Sequence, residues 1–522
     1  MRILIFVLLS ISAFASQAQT LTPLAFFARC YGHLTGQPLP LNHALRAPLT
    51  AGTLSGQQAC ADLLDSAVID GTSHQVSNAE GQLVLNRLYE FHRSWVTNGV
   101  FEQMEAYLPT PGTYNILDST ETALAITYNG LYSGARYENV LKGDKGYVAL
   151  RTPDPAITAR YYSTAHSMPI RRIKPGAEAS APYVPFKIPG TWSGSDYATS
   201  EVQLFPAIQI GSLTGIKLQD QTANVANYWP GFSRFNGSPS KTETATGTAG
   251  MAVNFDFFKN QGGGVLGLNT NILINYGHPI GQLSDGALKL PRRWVKETLH
   301  TLLCTELPAL RESDVQAYID SRTGDDVAPW RSSAACLQCH TTMDPLASTA
   351  RNLTISQTDY STRTVVNPST NKIAYSSYML GKFTVNDNSA FSWSSTPVPN
   401  FHRMKPTGKV IMRTFSGRLI NSTVNNMEEA GSLLSQSEDL YQCATKRYFE
   451  LLTGISVPLY DRGDPRFAQT TASLSTAALK NRLFIEGVAK RFKESQSLRS
   501  MIKEIINSNY YRDANYLAGG TK

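Results

Sequence analysis

The sequence lacks several motifs that would assign its chemistry directly. It has neither the G-x-S-x-G turn of serine hydrolases nor the H-E-x-x-H pattern of zinc proteases, so neither pattern supports hydrolytic chemistry. It contains a single C-x-x-C pair, whereas a structural zinc site would require further Cys or His residues at short spacing. A glycine-rich stretch over 261–267 lacks the Lys-Ser/Thr of a phosphate loop, which favours a close backbone approach there.

Long hydrophobic runs and clustered charge are also missing. An apolar stretch followed by small residues predicts a secretory signal peptide over residues 1–18, so we expect an exported protein, periplasmic or at the cell surface. No later stretch reaches the roughly 18 apolar residues of a transmembrane helix, so none is expected after the signal peptide. The net charge of +7 is scattered, and no nucleic-acid partner is expected.

Cysteine is scarce, with six residues in the 522-residue chain. Apart from the C-x-x-C pair, the cysteines are Cys30, Cys60, Cys304 and Cys443. Four cysteines in an oxidising compartment predict two disulfides, with three possible connectivities. Because Cys30 and Cys60 fall on the two helices of a predicted hairpin, Cys30–Cys60 is the preferred pair, and Cys304–Cys443 follows by elimination.

The C-x-x-C pair continues into a histidine, as Cys336-Leu-Gln-Cys339-His340. C-x-x-C-H is the attachment signature of c-type haem, in which both thiols bond to the haem and the histidine is the proximal iron ligand. A thioredoxin-like redox pair would instead expect a surrounding βαβ pattern and does not need the histidine. The motif therefore predicts one covalent haem c held by Cys336, Cys339 and His340.

The motif leaves the sixth iron ligand open. Low-spin electron transfer needs a Met or His from farther along the chain. One Met and one His lie just before a Pro-Thr-Gly turn. Met404 is the preferred candidate for the sixth ligand, and His402 is the second. Met379, Met412 and Met427 compete, although Met is more often a core residue than a ligand. An open sixth position is the remaining alternative.

Helical periodicity dominates both ends of the chain, and β-like runs occupy much of the middle. We expect a mainly α, multi-module protein with a cytochrome-c-like helical haem module and β-rich or irregular insertions. Two Leu-Thr-Gly helix stops, at Gly36 and Gly454, mark related hairpins at the two ends, and turns are expected at Gly408 and Gly417. The expected segments are a signal peptide over 1–18, an N-terminal helical module over 19–135, an irregular and helical middle module over 136–325, a haem module with a β insertion over 326–425, and a C-terminal helical module over 426–522.

With these residues in view, the chain resembles the exported planctomycete-type single-haem cytochrome c family, whose members join several helical modules. The haem module of that family reads C-x-x-C-H-x-x-(I/M)-D-P-L-G, and this chain continues from His340 as Thr-Thr-Met343-Asp344-Pro345-Leu346-Ala347, with Ala in place of the final Gly. The resemblance covers about the last half of the chain. It implies haem binding and electron transfer and supplies no substrate.

The sequence thus predicts an extracytoplasmic monohaem c-type cytochrome that transfers electrons, as a carrier or as the electron-entry part of an oxidoreductase complex. One alternative is a haem enzyme with an open axial site that acts on peroxide or an organic substrate. Another is a surface binding protein in which haem is structural or absent. No catalytic residue and no redox partner protein is identified from the sequence.

Overall fold

The fold is taken from a computed structural model of the chain. The structure describes residues 20–96, 117–118, 121–152, 206–207, 212–219, 240–244, 251–256, 260–275, 291–322, 329–351, 353–357, 363–366, 372–375, 378–385, 392–393, 396–397 and 405–513. The predicted signal peptide and the two candidate sixth ligands, His402 and Met404, lie outside the described residues. Much of the predicted irregular middle module also lies outside them.

Helices form most of the described chain, which confirms the mainly α prediction. Those before the haem motif are α1 Pro23–Thr35, α2 Arg46–Thr50, α3 Gly56–Asp65, α4 Ala79–Val96, α5 Glu121–Leu131, α6 Asn139–Lys142, α7 Asn269–Asn275, α8 Arg292–Leu303 and α9 Glu312–Val315. The motif helix and those after it are α10 Ala334–Ala347, α11 Met427–Ser435, α12 Glu438–Thr453, α13 Ala468–Ala472, α14 Thr476–Ser495, α15 Leu498–Asn507 and α16 Asn509–Arg512. None of the helices in these ranges has both the length and the apolar character needed to cross a bilayer.

Short strands occupy the middle of the chain and the stretch after the haem motif. They are β1 Leu117–Asp118, β2 Gly146–Thr152, β3 Pro206–Ala207, β4 Ser212–Gln219, β5 Ser240–Thr244, β6 Met251–Asp256, β7 Leu353–Gln357, β8 Arg363–Val366, β9 Lys372–Tyr375, β10 Tyr378–Val385, β11 Ser392–Trp393, β12 Thr396–Pro397, β13 Gly408–Arg413 and β14 Leu419–Val424. Four of them form a sheet in the order β5-β6-β10-β7.

The hairpin β13–β14 confirms one of the two predicted turns and corrects the other. Gly417 lies between the strands with a φ of 83°, a conformation that glycine adopts without steric cost. Gly408 was predicted as a turn, but it is the first residue of β13 and pairs with Val424. Gly408 packs so closely on helix α10 that an added Cβ would overlap the Pro345 carbonyl oxygen, so glycine is required there by contact.

The two Leu-Thr-Gly stops end their helices in the same way. Gly36 follows α1 with a φ of 73°, and Gly454 follows α12 with a φ of 72°. In each case the glycine N–H donates to the carbonyl four residues earlier, which closes the last helical turn. The predicted structural echo between the two ends of the chain is therefore present at both helix stops.

The two ends of the chain also touch. The Phe26 and Tyr511 rings meet edge to face with centroids 5.4 Å apart, and Arg29 donates to the Tyr511 carbonyl. Lys503 of α15 pairs with Asp65 of α3 at 2.5 Å. Buried hydrophobic residues from both ends belong to one continuous cluster. The module boundaries expected from the sequence remain predictions.

Both predicted disulfides are present. Cys30 of α1 is bonded to Cys60 of α3, with Cα atoms 6.0 Å apart. Cys304, immediately after α8, is bonded to Cys443 of α12, with Cα atoms 5.2 Å apart. The second bond joins the end of α8 to α12, and its two cysteines are 139 positions apart in the sequence.

The glycine-rich stretch is a close backbone approach, as predicted. Gly262, Gly263 and Gly264 all have positive φ values, of 94°, 77° and 60°. An added Cβ on Gly263 would overlap the Met427 carbonyl, and one on Gly264 would overlap the Val140 carbonyl. The glycine-rich stretch can pack this closely against Val140 and Met427 only because the glycines have no side chain.

A fully buried histidine, His92 of α4, links three helices. Thr127 of α5 donates to the Ala123 carbonyl at 2.8 Å, so its oxygen is free to accept from His92 Nδ1, also at 2.8 Å. Tyr448 of α12 lies 2.8 Å from His92 Nε2 and can donate to it. This arrangement matches a neutral imidazole, and burial lowers the pKa of His92 to about 3.

We expect Gly264→Ala to destabilise the fold by about 2–4 kcal/mol, because left-handed strain and overpacking act together. The matched control is Gly134→Ala, where φ is 76° but no atom lies within 4 Å of the added Cβ. The control is expected to cost about 1 kcal/mol. Urea unfolding of both variants measures the difference, and equal losses would contradict the close approach.

We expect His92 to make stability depend on pH. Its folded pKa of about 3 lies below the roughly 6.5 of an unfolded histidine, so the unfolded state binds a proton first as the pH falls. Its contribution is complete above about pH 6.5 and is lost progressively toward pH 3. Between pH 7 and pH 5 the loss amounts to about 2 kcal/mol.

The measurement compares urea unfolding of wild type and His92→Gln at pH 7 and pH 5. The glutamine retains hydrogen-bonding capacity for Thr127 and Tyr448 but cannot titrate. Wild type is expected to lose more stability than the variant over this interval. An identical loss in both proteins would mean that folding does not lower the pKa of His92, so that the folded imidazole is protonated at pH 5.

Candidate functional site

Helix α10 carries the whole C-x-x-C-H motif. Cys336, Cys339 and His340 stand at positions i, i+3 and i+4, so they lie on neighbouring positions of the helix surface. Both thiols are free and partly buried, whereas the other four cysteines are consumed in disulfides. Burial raises the pKa of the Cys339 thiol, opposed by the charge of Arg466.

His340 is oriented through one ring nitrogen. Its Nδ1 lies 3.2 Å from Asp344 Oδ2, one turn later on the same helix. Asp344 is held in turn by Arg292 of α8, whose Nε and Nη2 donate to the two carboxylate oxygens at 2.6 and 2.9 Å. Among the described residues nothing hydrogen-bonds His340 Nε2, which is the nitrogen that remains for a metal when Nδ1 is the donor.

An aromatic ring fixes the face of the imidazole. Trp330, on the short 3₁₀ turn Pro329–Ser332, stacks on His340 with centroids 4.3 Å apart and an interplanar angle of 18°. The Arg331 guanidinium lies 5.2 Å from the Trp330 ring centroid. Trp330 packs on a small apolar cluster separate from the main core, formed by Leu310, Val315, Leu337 and Ile411.

His340 opens onto a cavity of about 670 Å³ between α10 and β13. That volume falls within the roughly 300–1,000 Å³ typical of small-molecule and cofactor sites. From α10 and the turn after it, the lining includes Leu337, His340, Thr341, Asp344, Pro345 and Ser348. From other segments it includes Tyr318, Asp320, Trp330, Arg331, Arg351, Thr407, Gly408, Lys409, Ile411 and Thr423.

The cavity lining carries charges of both signs. Arg331, Arg351 and Lys409 are basic, and Asp320 and Asp344 are acidic. Arg351 is buried, which lowers the pKa of its guanidinium, and its Nε donates to the Ser348 carbonyl at 3.2 Å. Hydrogen bonds from Arg322 lower the pKa of Asp320 to about 2, so this carboxylate is charged at neutral pH.

The thiols and the cavity lie on adjoining faces of α10. At about 100° per residue, Cys336 projects about 40° and Cys339 about 100° from His340 around the helix axis. The cavity lining contains His340 but neither thiol. His340 is therefore at the border of the two faces, where one planar group could meet the imidazole and extend toward both sulfurs. The donor set of two free thiols and one imidazole fits a covalent haem c.

The competing sixth ligands are placed only in part. Met412 and Met427 are buried and belong to the main hydrophobic cluster, so neither side chain reaches the cavity lining. Met379 lies in β10, and its side chain is not among the described ones. Met404 and His402 stay predictions. The described chain resumes at residue 405, and Thr407 and Gly408 line the cavity.

Three residues of the site were missed as functional in the sequence. Asp344 could have been found, because an Asp four positions after the motif histidine shares its helix face. Trp330 lies ten positions before His340, with no periodic pattern to connect them. Arg292 lies 52 positions before Asp344 and is brought to it only by the packing of α8 on α10.

Comparison with known proteins provides no relative from which a role for this site could be inferred. The sequence matches no protein-family model, no curated protein and no solved structure. The resemblance to single-haem cytochromes therefore depends on the motif residues of α10 and the segments that flank it.

Proposed function

We propose that the protein is an exported monohaem c-type cytochrome whose α10 region is a cytochrome-c-like haem module. Haem is held by thioether bonds to Cys336 and Cys339 and by His340 on the iron. The observation that carries the proposal is the set of free groups in the motif. Two thiols remain unpaired while every other cysteine is bonded, and the histidine beside them presents Nε2 without a partner among the described residues.

When bound, the haem supplies a one-electron iron couple. The chain supplies the proximal ligand and its orientation. Asp344 accepts the Nδ1 hydrogen bond and so selects the tautomer with a free Nε2, and Trp330 restricts rotation of the ring. Asp344 and Trp330 both line the cavity beside the imidazole, and the His340 side chain is 21% exposed.

The charges of the cavity also suit a haem. Haem carries two propionate carboxylates, and Arg331, Arg351 and Lys409 line the cavity. Paired arginine–carboxylate contacts are among the stronger charge-assisted hydrogen bonds. The basic residues therefore give the anionic edge of the group a favourable environment, while the apolar wall of Leu337 and Ile411 suits its ring.

Met404 is the proposed sixth ligand. It stands three residues before Thr407, a cavity-lining residue, and His402 stands five before it. Methionine opposite histidine is the ligation of electron-transfer cytochromes c and raises the potential.

Covalent haem attachment is tested by expressing the full chain in a host with cytochrome c maturation. Wild type should give a c-type pyridine haemochrome and no free thiol after denaturation, whereas Cys339→Ser should lose the normal double attachment and most of its haem. Ala335→Ser, which adds the same hydroxyl to an exposed neighbour on α10, should keep its haem. A folded, haem-free wild type with two titratable thiols would overturn the proposal and favour a surface binding protein.

The sixth ligand is tested with Met404→Ala and His402→Ala, each a control for the other. Wild type should be low-spin in both oxidation states, Met404→Ala should become high-spin in absorption and electron paramagnetic resonance spectra, and His402→Ala should remain low-spin. The reverse pattern would assign His402. A high-spin wild type would contradict electron transfer through two axial ligands and favour a haem enzyme with an open site.

A further inference from the structure

Three side chains from two helices, Arg292, Asp344 and His340, are linked by hydrogen bonds, and we call this set the relay. Arg292, at the start of α8, donates to both carboxylate oxygens of Asp344, and one of those oxygens also accepts from His340 Nδ1. Oδ2 is therefore shared, 2.9 Å from the guanidinium and 3.2 Å from the imidazole. The side chains of Asp344 and His340 are 19% and 21% exposed, so solvent screens their contact weakly. The Arg292 side chain is 41% exposed, so its charge is partly screened.

We propose that Arg292 tunes the haem iron by controlling how strongly Asp344 draws on the Nδ1 proton of His340. This inference rests on the proposed function, because it needs an iron on Nε2. Arg292 is a positioning residue that acts through Asp344 and touches neither the iron nor its ligand.

The physical basis is competition for one carboxylate. A carboxylate that accepts from the outer nitrogen of a ligating histidine makes the imidazole a stronger electron donor, which stabilises ferric over ferrous iron. A guanidinium bound to the same carboxylate withdraws part of its negative charge and weakens that effect. The relay thus holds the iron at a potential between those set by a free carboxylate and by a neutral partner.

The position of Arg292 is poorly explained by helix stability. It is the first residue of α8, and a cation at a helix N-terminus opposes the helix dipole. α8 is already anchored by Trp294, whose indole N–H donates to the Leu266 carbonyl, and by the Cys304–Cys443 disulfide. The helix therefore has contacts with Leu266 and α12 that do not involve Arg292, and we expect Arg292→Gln to keep the fold.

The neighbouring residue provides a matched control. Arg293 also lies in the first turn of α8, carries the same charge and makes no ion pair within the described part of the chain. Arg293→Gln removes one positive charge from nearly the same place without touching Asp344. Arg292→Lys keeps the charge at the relay but loses the two-pronged grip.

The experiment is a redox titration of the haem-loaded full chain. Asp344→Asn should shift the ferric–ferrous equilibrium about tenfold toward ferrous iron, which is 59 mV for a one-electron couple. Arg292→Gln should shift it about threefold the other way, because the carboxylate is released to His340. Arg292→Lys should fall between Arg292→Gln and wild type, and Arg293→Gln should leave the equilibrium within the scatter of wild type.

The double variant Arg292→Gln/Asp344→Asn separates the relay from the direct field of the lost charge. If Arg292 acts through Asp344, its removal has little effect once the carboxylate is gone. Equal shifts in both backgrounds, or an equal shift from Arg293→Gln, would overturn the inference while leaving the proposed function intact. A haem-loaded Asp344→Asn protein with an unchanged equilibrium would overturn it even if Arg292→Gln fails to fold. A wild type without covalent haem would overturn both proposals.

Discussion

The ion pair between Arg292 and Asp344 is the contact on which the candidate site depends. It fastens the motif helix α10 to α8, and it also sets the hydrogen bond that orients His340. α8 is in turn bonded through Cys304 to Cys443 of α12. The imidazole of His340 is therefore connected, through Asp344 and Arg292, to two helices that a disulfide joins.

Helix α12 is held by polar as well as apolar interactions. Tyr448 of α12 reaches across to the buried His92 of α4, and His92 reaches Thr127 of α5. Both ring nitrogens of His92 have a hydrogen-bond partner, which is the condition for placing a histidine in a core at low cost. The N-terminal and C-terminal helices share this core, so the site on α10 is built on both ends of the chain.

The site itself lies at the edge of that core. Its apolar wall is the small cluster of Leu310, Val315, Leu337 and Ile411, which is distinct from the main one. A cavity between a helix and a hairpin strand, with basic residues in its lining, leaves room for a large planar group. An electron carrier requires such an edge location, because its cofactor must approach a partner protein while its ligands stay fixed.

Much of the local structure could be predicted from the sequence by itself. The helix stops at Gly36 and Gly454, the close approach over 261–267, both disulfide pairings and the mainly α class all follow from short patterns or from counting cysteines, and the structure bears them out. The turn at Gly408 was wrong, because its glycine serves a contact with Pro345 that no local pattern reveals. The C-x-x-C-H motif names Cys336, Cys339 and His340 as haem ligands through its fixed spacing, and this assignment stays a prediction.

Only the tertiary structure decided which other segments meet that histidine and its carboxylate. The tryptophan and the guanidinium come from two segments outside α10, and Arg292 and Asp344 are 52 positions apart. Spacing along a helix can be read from a sequence because it repeats every 3.6 residues. Contacts between helices have no such period. They follow from how side chains of different segments fill one interior, and that is settled only when the whole chain has packed.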